Sequence, residues 1–213
     1  MRSLVSWSGG KDSCFATMKA REAGYEPTVL LNVMNESGQR SRSHGLPASV
    51  LKQQADAMHL PITLIESSWK EYEMNFTNAL LDLRKRFNTT YAVFGDIDLQ
   101  AHRDWEEKVT AAAGLQAALP LWQQNRKTLL IQMLNAGIET MIVSCNAVMG
   151  PSFLGRTMTE DMIPELENMG VDVCGENGEF HTLVVNCPLF DRRITVQPGE
   201  IQEHEGYWFL EIT

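Results

Sequence analysis

Six residues near the start of the chain, Ser8-Gly9-Gly10-Lys11-Asp12-Ser13, have the types and spacing needed to hold a phosphate. Two adjacent glycines let the backbone turn tightly and approach a ligand with no Cβ in the way. The apolar run Leu4-Val5-Ser6-Trp7 precedes them, and Cys14, Phe15, Met18 and Ala23 follow at helical spacing. The six residues therefore join a strand to a helix N-terminus, where unpaired N–H groups and the positive dipole end favour an anion. Lys11 adds a mobile positive charge, and Ser8 and Ser13 add hydroxyl donors. The spacing between glycine and lysine is not that of GxxxxGK[ST]. Read without a ligand, the same residues form a tight strand–helix turn with Asp12 and Ser13 as caps.

A second group lies far along the chain, in Gly175-Glu176-Asn177-Gly178-Glu179-Phe180-His181-Thr182-Leu183. Gly175 and Gly178 bracket a turn. Beyond it, strand alternation puts Phe180, Thr182 and Val184 on one side and Glu179, His181 and Leu183 on the other. A carboxylate and an imidazole two apart on one strand face can share a proton or touch the same ligand. Without a ligand, this is a polar surface hairpin.

The elements that must position these residues alternate. Thr28 to Val33, Ile62 to Ile65 and Tyr91 to Phe94 read as further buried strands. Pro47 to Met58, Trp69 to Phe87 and Arg103 to Ala113 read as helices between and after them. The cations Arg84-Lys85-Arg86 suit the negative end of the long helix. Nearly all-apolar strands alternating with helices predict an α/β fold with a parallel sheet sandwiched by helices. Ligands of such sheets bind beyond the carboxyl ends of the strands, where Ser8–Ser13 and Gly95–Asp98 lie. The second half changes character: helices over Asn125 to Ala136 and Glu160 to Met169, a strand over Glu139 to Ser144, and a mainly strand-like tail from Val171 to Thr213. The boundary is expected near residues 115–125, giving an α/β domain over 1–120 and a smaller α+β domain over 121–213.

Composition narrows the class. The chain has 213 residues, 44% of them apolar and 21% charged, which excludes a disordered or disulfide-dense chain. Eighteen Lys+Arg against 27 Asp+Glu give a net charge of −9, which repels phosphate backbones and argues against sequence-independent nucleic-acid binding. No stretch approaches the roughly 18 apolar residues of a membrane helix, and the N-terminus reaches Ser-Gly-Gly too soon for a signal peptide. A cytoplasmic protein is expected. Cys14, Cys145, Cys174 and Cys187 form no CxxC pair, so they read as free thiols of a reducing compartment.

The loop Ser8–Ser13 resembles the SGGxDS pyrophosphate loop of the N-type ATP pyrophosphatases. Almost the whole chain resembles one branch of them, the diphthine–ammonia ligase family. The resemblance runs through Ser8–Ser13, Gly95-Asp96-Ile97, Leu119-Pro120-Leu121-Trp122, Leu154-Gly155-Arg156, Cys174 to Leu183 and Pro188-Leu189-Phe190. It departs from the family's GEGGEYETL signature at Asn177, Phe180 and His181. It departs again where the family carries YQRxR and this chain has Ala101-His102-Arg103-Asp104-Trp105.

The resemblance implies an adenine-nucleotide-binding, Rossmann-like α/β domain followed by a smaller α+β domain. It implies an AMP-forming amide ligase that adenylates a carboxylate and amidates it with ammonia. ATP would lie with its phosphates on Ser8, Gly9, Gly10, Lys11, Asp12 and Ser13, with Gly95 and Asp96 beside them. Its adenine would rest on the backbone of Ser6–Trp7 and Leu31–Val33, with Asn32 among them. Mg²⁺ is implied, with Asp12 or Asp96 in contact. Lys11 and Asp12 would act at the phosphates. Glu179 and His181, with Glu176 and Thr182, would reach the acceptor or the ammonia, and His44 and Arg103 would line the acceptor pocket. No amide-hydrolysing site is legible, so ammonia would be taken from solution. The acceptor is a carboxylate on a modified protein side chain or a small molecule. Other readings of the same loop are a PP-loop enzyme with another acceptor, RNA thiolation included, and an ATP-binding sensor without turnover. Five tryptophans and eleven methionines leave room for a homo-oligomeric interface.

Overall fold

The computed structural model describes residues 1–213. In chain order the elements are β1 (Arg2–Ser6), α1 (Lys11–Glu22), β2 (Glu26–Met34), α2 (Ala48–Ala57), β3 (Ile62–Glu66), α3 (Tyr72–Phe87), β4 (Tyr91–Val93), α4 (Gln100–Ala112), β5 (Gln116–Ala118), α5 (Arg126–Asn135), β6 (Glu139–Asn146), α6 (Met162–Asn168), β7 (Phe180–Asn186), β8 (Pro198–His204) and β9 (Tyr207–Ile212). The first five strands form a parallel sheet in the order β3-β2-β1-β4-β5. The last four form an antiparallel sheet in the order β7-β6-β9-β8.

Strand alternation sorts the first sheet's side chains onto two faces. Leu4, Val29, Leu31, Val33 and Ala92 pack with Phe76, Leu80 and Leu83 of α3 and Val109 of α4. Val5, Leu30, Met34 and Val93 pack with Phe15 of α1 and Val50 and Leu51 of α2. This second core does not stop there. It continues through Leu129 and Met133 of α5 into Ile142, Phe180 and Leu183 of the antiparallel sheet. The helices α1 and α2 thus serve one core shared by both halves.

Strand order reverses direction between β1 and β4. The loops leaving these neighbours diverge, and a crevice opens at their carboxyl ends. Ser8–Ser13 leaves β1 and Gly95–Asp96 leaves β4. A Cβ on Gly95 would lie 2.8 Å from the Ser13 backbone nitrogen, so only glycine lets the two loops approach this closely.

Several sequence expectations move. The helix expected from Trp69 begins at Tyr72, and that expected from Arg103 begins three residues earlier, at Gln100. The short strand β5, Gln-Ala-Ala, carries no β-branched residue to announce it. The tail is not continuous strand: 171–179 is a series of turns, with Gly175 at φ 74° and Gly178 at φ 82°.

Candidate functional site

The crevice at the end of β1 and β4 deepens into a cleft of about 920 Å³. One wall is the phosphate loop. Gly10 caps α1 with no side-chain hydrogen bond. The first N–H of α1, from Lys11, donates to Thr182 Oγ1 at 3.1 Å, while those of Asp12 and Ser13 have no partner in the chain. Ser8 Oγ and Ser13 Oγ lie 3.0 Å apart. The loop is fixed from behind. Gly9 O accepts from Val184 N at 2.9 Å and from Gln54 Nε2 at 3.0 Å. Gln54 is fully buried; its amide also donates to Val184 O and its oxygen accepts from the Trp7 indole, both at 2.8 Å. One buried amide therefore ties α2, the phosphate loop and β7 together. Nothing in the sequence singles out Gln54, because its partners, Trp7 and Gly9 on one side and Val184 on the other, lie in two segments far from it in the chain.

Lys11 is not the mobile cation expected from the sequence. It is 2% exposed, and its ammonium donates to Asp12 Oδ2 at 2.8 Å and to Cys174 O. Burial opposes its charge, but Asp12, with Cys174 and Glu176 nearby, more than offsets that and holds the ammonium above its ordinary range. Asp12 Oδ1 is buried and has no partner.

The facing wall is the loop before β7. His44 Nδ1 lies 2.8 Å from Thr182 O, and its ring centroid lies 4.7 Å from that of His181. Burial pushes His44 down to about 4. Burial, His44 and Lys11 push His181 down to about 3. Both rings are neutral at pH 7. Burial pushes Glu176 up to about 8, with Asp12 adding to the effect.

Glu179 behaves differently from the expectation. Its carboxylate accepts from Asp172 N at 3.1 Å, Asn177 N at 3.0 Å and Asn177 Nδ2 at 3.0 Å. Burial acts to raise it, but these bonds prevail and hold it below the usual carboxylate range. It staples its own loop and does not line the cleft. Asp172 does the same work, accepting from Glu176 N at 2.8 Å and from Arg126 Nη1 at 2.9 Å. Asp172 is not legible as a functional residue from sequence, since loop stapling has no spacing signature.

The third wall is the start of α3 and α4. Tyr72, Phe76, Phe94 and Trp105 line it, with Trp105 5.6 Å from Tyr72 and 5.1 Å from Phe76 between ring centroids. Arg42 stacks on the exposed Trp69 at 4.6 Å. Asp96 and His102 lie here, with Glu106 beside them.

Of the residues singled out in the sequence, Ser6, Ser8, Lys11, Asp12, Ser13, His44, Gly95, Asp96, Glu176, His181 and Thr182 line one cleft. Gly9 and Gly10 lie behind it: a Cβ on Gly9 would meet Leu46 at 2.7 Å, and one on Gly10 would meet His44 at 2.3 Å. Two expectations are corrected besides Glu179. The backbone of 31–33 does not line the cleft, because the chain itself uses it. Leu31 O accepts from Trp7 N, Asn32 Nδ2 donates to Trp7 O, and Val33 O accepts from Arg42 N. Arg103 also lies outside, because its guanidinium is engaged elsewhere, paired with Glu107 at 2.7 Å and stacked on Trp122 at 5.0 Å.

Comparison with known proteins follows the same division. The diphthamide synthase N-terminal domain matches residues 1–117, and the diphthamide synthase C-terminal domain matches residues 125–213. A human protein named diphthine–ammonia ligase is 29% identical over 100% of this chain and 89% of its own length. A protein of that name from Schizosaccharomyces pombe is 29% identical over 97% of this chain but only 38% of its own, much greater, length. A solved structure titled a predicted subunit of tRNA methyltransferase from Methanocaldococcus jannaschii aligns at TM-score 0.46 and 16% identity, over 91% of this chain and 100% of that one. With a phosphate loop and a glycine-bracketed second loop closing one cleft, and one family domain alone accounting for 117 of 213 residues, the chain belongs to the diphthamide synthase family.

Proposed function

We propose that this chain is an ATP-dependent amide ligase that adenylates the carboxylate of diphthine and amidates it with ammonia, releasing pyrophosphate and AMP. One observation carries the reading: the phosphate loop and the loop before β7 meet across a single cleft. Lys11 is hydrogen-bonded to Thr182 and Cys174 at their junction. Phosphates bound at one wall thus face an acceptor held at the other.

The open N–H groups of Asp12 and Ser13, at the positive end of α1, stabilise charge on the departing pyrophosphate. Lys11 adds its charge from a fixed position, so no reorganisation is needed as the bond breaks. The residues present fit Mg²⁺ at Asp12, whose Oδ1 is buried in the cleft without a partner; bound there, the ion would neutralise phosphate charge. Asp96 is not available for that task, because His102 and Glu106 engage its carboxylate. The aromatic wall of Tyr72, Phe94 and Trp105 offers a face to a planar or apolar part of either substrate.

In this reading residues 1–120 hold the nucleotide, residues 121–213 close on the acceptor, and the protein works in the cytoplasm. No helix is long and apolar enough to cross a membrane. The test uses α-³²P-ATP with Mg²⁺, ammonium chloride and a diphthine-bearing peptide. Labelled AMP that depends on the peptide is expected, and labelled ADP as the sole product overturns the reading.

A further inference from the structure

The α4 wall of the cleft holds a chain of three side chains with no role in the account above. His102 Nδ1 lies 2.7 Å from Asp96 Oδ1. Glu106, one helical turn further along α4, lies against the same Asp96; it is only 3% exposed, and its Oε2 is buried without a partner. Two carboxyl groups in contact do not both ionise. Burial and the neighbouring Asp96 push Glu106 up to about 11, so it keeps its proton at neutral pH beside the Asp96 carboxylate. Burial works against the Asp96 charge, but His102 and Glu106 prevail and hold it below the usual carboxylate range.

The consequence is directional. A fixed anion at Nδ1 places the imidazole proton there and leaves the Nε2 lone pair free. The His102 side chain is 58% exposed and lines the cleft. An ordinary ion pair on a helix surface has no need of a buried carboxylic acid behind it, and burying one is costly. The charged groups facing His102 are Asp96, backed by Glu106, on its own side and Glu176 from the loop before β7; Asp96 foremost holds the imidazole above its ordinary range.

We propose that His102 is the catalytic base that takes the proton from ammonia as the amide forms, with Asp96 and Glu106 as its positioning residues. The assignment rests on the ligase reading. The nitrogen lone pair attacks the carbonyl carbon of the acyl-adenylate. The bond from that carbon to the phosphate oxygen breaks, and its electron pair leaves with AMP. The surplus N–H proton passes to His102 Nε2 and then to water. No electrons are gained or lost.

The test compares two nucleophiles, each with ATP, Mg²⁺ and a diphthine-bearing peptide. Hydroxylamine is much less basic than ammonia, so the surplus N–H proton of its adduct passes to water unaided, whereas that of the ammonia adduct needs a base. In His102→Gln, amide formation from ammonium chloride is expected to fall by about 10², the scale of a lost general base. Hydroxamate formation is expected to stay within threefold of the starting protein. Added imidazole is expected to restore part of the amide rate in His102→Ala. With rates expressed per free ammonia, Asp96→Asn is expected to move the acid limb of the pH profile to lower pH. Glu106→Gln, which keeps a neutral donor to Asp96, is expected to leave that limb in place.

Equal losses of amide and hydroxamate, or no loss of amide, overturn the proposal. So does an acid limb that ignores Asp96→Asn, a measurement that stands even where a His102 variant fails to fold. If the unaltered protein forms neither AMP nor hydroxamate, the ligase reading has failed and the proposal falls with it. If it forms both and His102→Gln makes amide at the full rate, only the base assignment falls.

Discussion

The two loops that close the cleft are built from similar residues and use them in opposite ways. Ser8–Ser13 is held from behind through the Gly9 carbonyl, by the Val184 backbone N–H and the Gln54 side-chain amide, so the open N–H groups of Asp12 and Ser13 and one oxygen of Asp12 remain available. The loop over residues 172–179 is held by its own carboxylates, Asp172 and Glu179, which are consumed in doing so. A loop stapled by other parts of the molecule keeps its chemistry for a ligand, whereas a self-stapled loop spends it. Glu176 is the carboxyl group of the second loop left to face the cleft, with His181 beside it on β7.

Lys11→Ala attacks the first loop where charge and structure coincide, and carries the largest expected effect. Turnover of ATP should fall by about 10² or more, as for loss of a charge-stabilising donor. Because Lys11 is buried and paired with Asp12, the variant should also lose about 2 kcal/mol of stability. A denaturation midpoint equal to that of the unaltered protein would show the pair to be as dispensable as a surface one.

Gly95→Ala tests the close approach of the two strand-end loops. The added Cβ, 2.8 Å from Ser13 N and 2.9 Å from the Asp12 carbonyl carbon, must push backbone, at a cost of about 1–3 kcal/mol. Nucleotide affinity, read by titration calorimetry, should fall about tenfold, because that shift displaces the donors of the first loop. Unchanged affinity would mean that the crevice does not bind the phosphates.

Glu179→Gln breaks the second loop's self-staple. A glutamine oxygen cannot accept all three bonds, and its amide opposes an N–H, so about 1–2 kcal/mol of loop order is lost. Amide formation should fall about tenfold, with nucleotide affinity within threefold. Equal losses of both would erase the contrast between the loops.

The two neutral histidines give a pH signature. His44 and His181 have folded pKa values of about 4 and about 3, below the ordinary 6.5. Between pH 6.5 and about 4 the unfolded chain therefore binds protons that the folded chain refuses, and stability falls as the pH falls. His102, shifted upward, acts with the opposite sign: its contribution is present below pH 6.5 and fades as the pH rises through its folded value. Glu179, shifted downward, loses its contribution only below the usual carboxylate range. Glu106 and Glu176, shifted upward to about 11 and about 8, also act with the opposite sign, because the fold keeps protons that the unfolded chain releases. From pH 6.5 to 5 the two histidines by themselves should cost about 3 kcal/mol, so the double variant His44→Gln, His181→Gln should gain about that much relative to the unaltered protein over the same interval, read from the denaturant midpoints. The smallest effect belongs to Arg103→Ala: with Arg103 outside the cleft, all rates should stay within threefold.

The sequence alone determined what depends on neighbours along the chain. Strand–helix alternation announced the parallel sheet, and two glycines between a strand and a helix announced the tight loop from β1 to α1, because both signals are local. His44 and Glu176 were found by type and reached the cleft. Tertiary structure decided everything set by partners distant in sequence. It buried Lys11 against Cys174, 163 residues away. It engaged Arg103 with Glu107 and Trp122 outside the cleft, and it committed Glu179 to backbone N–H groups. It gave Gln54 partners from two distant segments, and brought Glu106 beside Asp96, to which His102 is bonded at the edge of the cleft. A residue's type fixes which hydrogen bonds it can make; which of them remain unmade, and so free for a ligand, is settled only when the rest of the chain has packed around it.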